Sequence, residues 1–399
     1  MTPRRHLMYL LPLAAALGLR ATVAGGSLTA EPGSGERTPY SDAWVRDQDI
    51  AFYEARIVRD PLGAMDRMRL AALYLQRGTA TGSEADFVRA EKAASSSLEH
   101  RRAHNDAAVA VLAGALMARH RFVEARNAAR ELVASAPESP TARALLGETL
   151  LELGSYGDAR SLFRSLGPSA RDPSVLTRLA RWHELEGRVE LADRLLREAR
   201  DRALQLHDLS PEQRAWFHLR VADLALRYGR LKEAAAALEA GLAESPADHR
   251  LLAARARLAT ARGDSRGAVR DGERALVAAF DPATLGVLAD AYTALGDTTS
   301  AARLERAMDV ALLGQSGPFH RAWSLHLLDR GRHVPDVLRR AEEELRTRRD
   351  VYGWDVYAWA LHASGRMREA AAAMDSALAL GTRDPLLLGH ARVIRQAAP

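Results

Sequence analysis

The sequence predicts an all-α fold of repeated helix pairs, and three observations carry that reading. Alanine, the residue with the highest helix propensity, supplies 78 of the 399 residues. Aromatic residues make up only 6% of the chain, so few clusters exist that would favour a half-buried strand. Finally, a glycine that closes a short apolar helix returns at intervals near 34 residues, and self-similarity at such a period marks a stacked repeat. Cysteine is absent. That excludes a disulfide framework, a thiol nucleophile, an iron–sulfur cluster and a cysteine zinc site.

The repeat explains the elements in order. Residues 41–60 read as a lone helix that packs onto the first repeat. The turn series then runs Gly78, Gly154, Gly187, Gly229, Gly263, Gly296, Gly331 and Gly365, with His120 filling the place between Gly78 and Gly154. From Gly229 onward the steps are 34, 33, 35 and 34 residues. Two steps of 42, Gly78 to His120 and Gly187 to Gly229, are one period plus a short insertion, and residues 79–83 read as an insertion in the first repeat. A large residue followed by a small one precedes each turn, as in Leu70-Ala71, Leu112-Ala113, Leu146-Gly147, Leu179-Ala180, Val221-Ala222, Leu288-Ala289 and Tyr357-Ala358. A second core position lies four before the glycine at Tyr74, Leu150, Tyr292 and Leu361, and an alanine lies five after it at Ala159, Ala192, Ala234, Ala268, Ala301 and Ala370. Ala125 holds the same place after His120. These spacings put the residues on one face of each of two antiparallel helices, joined by a turn that glycine permits. Prolines 137, 173, 246, 282 and 385 mark repeat ends.

This pattern resembles the tetratricopeptide repeat family, most closely from Leu146 to Ala159 and from Trp354 to Ala370. The resemblance implies an all-α, right-handed superhelical solenoid of stacked antiparallel helix pairs over residues 41–399, in about nine repeats. It also implies a concave face, lined by the first helix of each repeat, that binds a protein or peptide. Three positions depart from the pattern: Arg255 replaces a large apolar residue, Asp336 replaces the second-helix alanine, and Pro335 precedes it. The repeat at 317–350 is therefore degenerate, and 384–399 reads as a capping helix over the last apolar face.

The amino terminus has the order of an export signal: Arg4-Arg5 at the start, an apolar run from Leu7 to Leu19, and small residues up to Gly26. Residues 1–24 are expected to be a signal peptide cut after Ala24, and 25–40 a flexible leader. The expected localisation is periplasmic or secreted, with membrane anchoring by an uncleaved signal as the alternative. The run is shorter than the ~20 residues a spanning helix needs, so no transmembrane span is expected after signal removal. The net charge of +5 falls to +2 without the first 24 residues, which carry Arg4, Arg5 and Arg20. Basic residues are interleaved with acidic ones, unlike the stripe of a nucleic-acid binder, so no nucleic-acid partner is expected.

Projecting the first helices leaves ten residues for the groove: Glu148, Glu152, Arg181, Glu184, Asp223, Arg227, Arg257, Asp290, Trp359 and His362. Their mixed signs suit a polar extended segment, with Trp359 as an aromatic anchor. The family's device for an acidic carboxyl terminus needs asparagines, and Asn105 and Asn127, the only two, are misplaced for it. His100 and His104 are four apart without a third ligand. His183-Glu184 lacks a second histidine for a zinc hydrolase helix, and Arg262-Gly-Asp-Ser265 falls on a repeat turn. The reading is an exported, non-catalytic protein-binding scaffold without cofactor or metal. The alternative is a helper subunit of an envelope assembly or polysaccharide-export complex. An enzyme using Glu148, Glu184 or His183 is disfavoured, because carboxylates are expected on solenoid surfaces without catalysis.

Overall fold

The computed structural model describes residues 41–166, 171–313 and 321–397, so the expected signal peptide and leader lie outside the described residues. Among the described residues the chain folds into twenty helices and no strand. No helix among them is long and apolar enough to cross a membrane.

The chain divides into two compact units. The smaller comprises residues up to Thr149 together with 276–281. It contains α1 (Asp42–Arg59), α2 (Ala64–Thr81), α3 (Glu84–His100), α4 (Asp106–Ala118) and α5 (Phe122–Ser135), and the unit boundary falls within α6 (Pro140–Glu152). Ser41 caps α1 by accepting the Trp44 amide at 3.2 Å, and α1 lays Ile50 against Leu70 and Tyr74 of α2. The first repeat corrects the sequence reading. Gly78 is not the turn residue; α2 continues one more helical turn to Thr81, and Gly82 (φ 68) takes the left-handed conformation. Inserting residues 79–83 lengthens the helix by about one 3.6-residue turn, which preserves its buried face. Gly78 stays inside α2, where a Cβ would meet the Phe87 ring at 2.9 Å.

The larger unit holds α7 (Tyr156–Ser165), α8 (Pro173–Leu185), α9 (Val189–Ala203), α10 (Pro211–Arg227), α11 (Leu231–Glu244), α12 (His249–Arg262) and α13 (Ser265–Ala278) as far as Ala275. Beyond these come α14 (Pro282–Ala294), α15 (Thr298–Leu313), α16 (Arg321–Asp329), α17 (Val334–Glu344), α18 (Val351–Ala363), α19 (Met367–Leu378) and α20 (Pro385–Ala397). Helices pack in consecutive pairs, α8 on α9, α10 on α11, α14 on α15, α16 on α17 and α18 on α19, while successive first helices α10, α12, α14, α16 and α18 pack on one another.

One turn, used again and again, makes those pairs. Leu150, His183, Ala225, Ala259, Tyr292, Leu327 and Leu361 each accept, through their carbonyls, the amide five residues on, at 2.8–3.0 Å. The residue before that amide is a left-handed glycine, with φ between 64 and 82. This is the hydrogen bonding that ends a helix when one residue takes a positive φ. Arg121 and Leu116 repeat the bond at 2.9 Å with His120 in the glycine's place at φ 56, as the sequence series requires. The small residues Ala71, Ala113, Ala180, Ala222, Ala289 and Ala358 and the second-helix alanines are buried, so helix backbones meet closely. Pro173, Pro282 and Pro385 stand at helix starts, where a missing amide hydrogen costs nothing.

The departures have physical compensations. Arg255 of α12 makes two 2.8 Å bonds to the carboxylate of Asp271, itself buried in α13. In the degenerate repeat, Val337 is buried one residue beyond Asp336, and Pro335 sits in the first turn of α17. Residues 317–320 lie outside the described residues. Asp384 caps α20, accepting the Leu386 amide at 2.9 Å.

Leu238 is fully buried where α10 and α11 meet. Leu238→Ala is expected to cost about 2–5 kcal/mol in equilibrium denaturation, against less than about 0.5 kcal/mol for the surface change Lys232→Ala.

Candidate functional site

A period near 34 brings equivalent positions of neighbouring first helices side by side, and the larger unit uses this to pair charges. Arg257 of α12 reaches Asp223 of α10 at 2.7 Å, and Arg321 of α16 reaches Asp355 of α18 at 2.6 Å. His390 of α20 lies 2.7 Å from the other oxygen of Asp355. These partners are 34, 34 and 35 residues apart. The same line includes Glu184 of α8 with Arg227 of α10, and Asp290 of α14 with Arg330, in the turn just after α16. Trp359 of α18 joins it by donating its indole hydrogen to Asp329 of α16 at 2.9 Å. The Trp359 ring is stacked on both His362 and His390, with centroids 4.9 and 4.2 Å away.

The line returns on itself. Arg348, in the turn between α17 and α18, contacts the Glu152 carboxylate at 3.1 Å and donates to the Glu152 carbonyl at 3.2 Å. The Arg349 amide donates to the Leu153 carbonyl at 3.2 Å, and the Val351 amide to the Tyr156 hydroxyl at 2.7 Å. Arg181 of α8 donates to the Tyr352 hydroxyl at 2.8 Å. The Tyr352 ring is flanked by the guanidinium groups of Arg181 and Arg321, 4.9 and 4.7 Å from its centroid. Two turns also touch through backbone. A Cβ on Gly154 would overlap the Arg349 carbonyl, and one on Gly187 would overlap the Gly381 carbonyl.

Burial governs the charge states here. Burial opposes ionisation of Asp355, yet His390 and Arg321 outweigh it and hold its carboxyl below the ordinary value. Arg181 and Arg348 are likewise buried, but Tyr352 and Glu152 around the first, and Asp350, Glu152 and Glu344 around the second, raise both above the ordinary guanidinium value. Burial raises Glu344 and Asp290 despite their arginine neighbours. His326, buried on α16, has no hydrogen-bond partner at either ring nitrogen among the described residues. Burial and the nearby Arg330 and Arg332 lower it to about 3.

Of the ten residues projected onto the groove, nine lie in the larger unit and Glu148 falls in the smaller one. Glu184 and Arg227 are buried against each other, Glu152 and Arg181 are engaged by Arg348 and Tyr352, and Asp223 and Arg257 are paired together. Asp290, Trp359 and His362 are partly exposed. Sequence reasoning thus chose positions on the first helices that meet one another through charge, but missed their partners Arg321, Arg348, Tyr352, Asp355 and His390. Opposite charges one period apart were a usable signal for Arg321, Asp355 and His390. None existed for Arg348 and Tyr352, whose partners are 196 and 171 residues away.

The remaining patterns are structural. His100 ends α3 whereas His104 has a left-handed backbone in the following loop, so they do not share a helix face. His183 is 3.6 Å from Glu186, and burial lowers its pKa. In the Arg262–Ser265 turn, Gly263 ends α12 and Asp264 accepts the Gly267 amide at 2.8 Å. Among the described residues no group of three or more histidines and carboxylates is arranged to hold a metal ion.

Residues 116–182 match the tetratricopeptide repeat family model. No curated protein matches the chain in sequence. Among solved structures, the human IFIT1 dimer with PPP-AAAA is similar over 79% of this chain and 72% of that one, at 15% identity and a TM-score of 0.51. The Cut9–Hcn1 hetero-tetramer of APC/C is similar at 15% identity and a TM-score of 0.48, covering 81% of this chain. Here the present chain spans 55% of the length of the chain it matches. PilW, a type IV pilus biogenesis factor, is similar at 17% identity and a TM-score of 0.43, over 53% of this chain and 96% of that one.

Two measurements check the electrostatics. Arg321→Met leaves the Asp355 carboxylate buried with His390 alone and is expected to cost about 3–5 kcal/mol in denaturant unfolding. His326 stays neutral in the fold while the unfolded chain protonates near pH 6.5, so stability falls as pH drops from there towards 3. His326→Leu is expected to flatten that loss in denaturation curves taken between pH 7 and pH 4. The chain thus shares its all-α stack of helix pairs with the IFIT1 structure, and its residues 116–182 match the tetratricopeptide repeat model.

Proposed function

We propose that the chain is an exported, non-catalytic scaffold that holds a protein or peptide partner on the inner face of its first helices. The observation that supports this reading most is the line of paired charges from α8 to α20. A polar extended segment offers the same groups, carboxylates, guanidiniums and backbone amides. It can exchange with these pairs at little net cost, because each ion-pair group it releases finds a new partner. Asp290, Trp359 and His362 form the accessible part of this face, and Trp359 supplies the large amphipathic ring that such contacts favour. Export rests on the amino-terminal order of basic, apolar and small residues.

Affinity capture with the full mature chain tests the binding. Trp359→Ala and Asp290→Ala are each expected to weaken recovery of a specific partner about tenfold or more with helicity unchanged. Equal recovery by both variants would place the partner elsewhere. Mass spectrometry of the exported protein tests the other part. A chain beginning at Gly25 is expected, and an intact Met1 confined to the cytosol would overturn export.

A further inference from the structure

We infer that residues 348–352, Arg-Arg-Asp-Val-Tyr, act as a built-in pseudo-ligand: they close the larger unit like a latch and mark the chemistry of the segment that displaces them. The inference rests on the partner-binding function proposed above and adds its regulation and partner class.

The seam differs in kind from the rest of the stack. Neighbouring helices meet through buried alanine and leucine, whereas the seam is almost wholly polar. Arg348 serves the Glu152 side chain and carbonyl, and two backbone amides serve the Leu153 carbonyl and the Tyr156 hydroxyl. Tyr352 then inserts its ring between two guanidiniums. One guanidinium, the main-chain amides of Arg349 and Val351 and one aromatic hydroxyl fall within five residues that lead into the first turn of α18, and a short peptide entering a helical turn presents the same groups. A buried polar seam contributes little net stability compared with apolar packing of equal volume, so it is the part of the unit that opens at least cost. Opening uncovers Glu152 and Arg181, and with them the buried Glu184–Arg227 pair next to Arg181. The site so exposed would take a segment carrying an arginine followed four residues later by a tyrosine at the start of a helical turn.

Gly154 provides a selective wedge. Asparagine tolerates the left-handed backbone of Gly154 (φ 74), but its Cβ collides with the Arg349 carbonyl. The same change at Gly365 (φ 77) meets nothing within 4 Å and serves as control. Full-length Gly154→Asn and Gly365→Asn proteins would carry spin labels on cysteines introduced by Ser161→Cys and Arg346→Cys, since the natural chain has none. Each would be titrated with a fluorescent peptide of residues 346–353 and with its Arg348→Ala, Tyr352→Ala version. The expected result is a longer label distance and at least tenfold tighter peptide binding for Gly154→Asn alone, with the altered peptide failing to bind. An unchanged distance in a folded Gly154→Asn protein would overturn the latch, and an opened protein that ignores the peptide would overturn the pseudo-ligand. If Gly154→Asn does not fold, Arg348→Ala in the full-length protein replaces it, since it frees Glu152 from its internal partner and leaves the receiving side intact. The peptide should bind Arg348→Ala at least tenfold more tightly than it binds the unaltered protein, and equal binding would refute the inference. Neither readout involves the natural partner, so failure here is separable from failure of the capture experiment.

Discussion

The larger unit depends on one local constraint, the six-residue hydrogen-bonded turn that ends each first helix with a left-handed residue. Because that turn has the same geometry each time, every second helix folds back along its predecessor in the same way. Equivalent positions of successive pairs then come to lie beside one another. Apolar positions merge into a continuous core, and charged positions come within reach of the next first helix. The alanine content follows from the same cause, since backbones brought this close leave space for a methyl group and little more.

The charged contacts between first helices carry an energetic cost that the core does not. Asp355, Glu184 and Arg227 are withdrawn from water and regain what they lose only through good geometry and multiple partners. What such a network supplies is discrimination between registers. A slip of one position would leave Arg321 facing no carboxylate and Asp355 uncompensated. The predominance of arginine over lysine fits this use, because a planar guanidinium can serve several acceptors at once, as Arg348 does with Glu152, Glu344 and Asp350.

Much of the fold was legible in the sequence because its determinants are local and repeated. The left-handed residue was found at Gly154, Gly187 and even His120, since each sits at a fixed distance from a large-small pair and an alanine. It was misplaced in the first repeat because an added helical turn leaves the apolar pattern intact and merely postpones the break from Gly78 to Gly82. The charge network of the first helices was legible only in part. Helical projection identifies which side chains leave the apolar core, but not what they meet, and Glu152 and Arg181 meet residues more than 170 positions away. No periodicity encodes that encounter, which arises from the summed rotation of all the pairs between.

The backbone contacts at Gly154 and Gly187 have a consequence for how such a chain can change in length. An open stack tolerates the gain or loss of a helix pair, because each pair touches only its neighbours. Here the turn after α6 must land against the start of α18, and the turn after α8 against the segment before α20. Inserting or deleting one pair between them would carry those surfaces past each other. The number of pairs in the larger unit is therefore fixed by closure, much as strand number is fixed in a barrel. Any ancestral growth by duplication within it had to stop where the ends met.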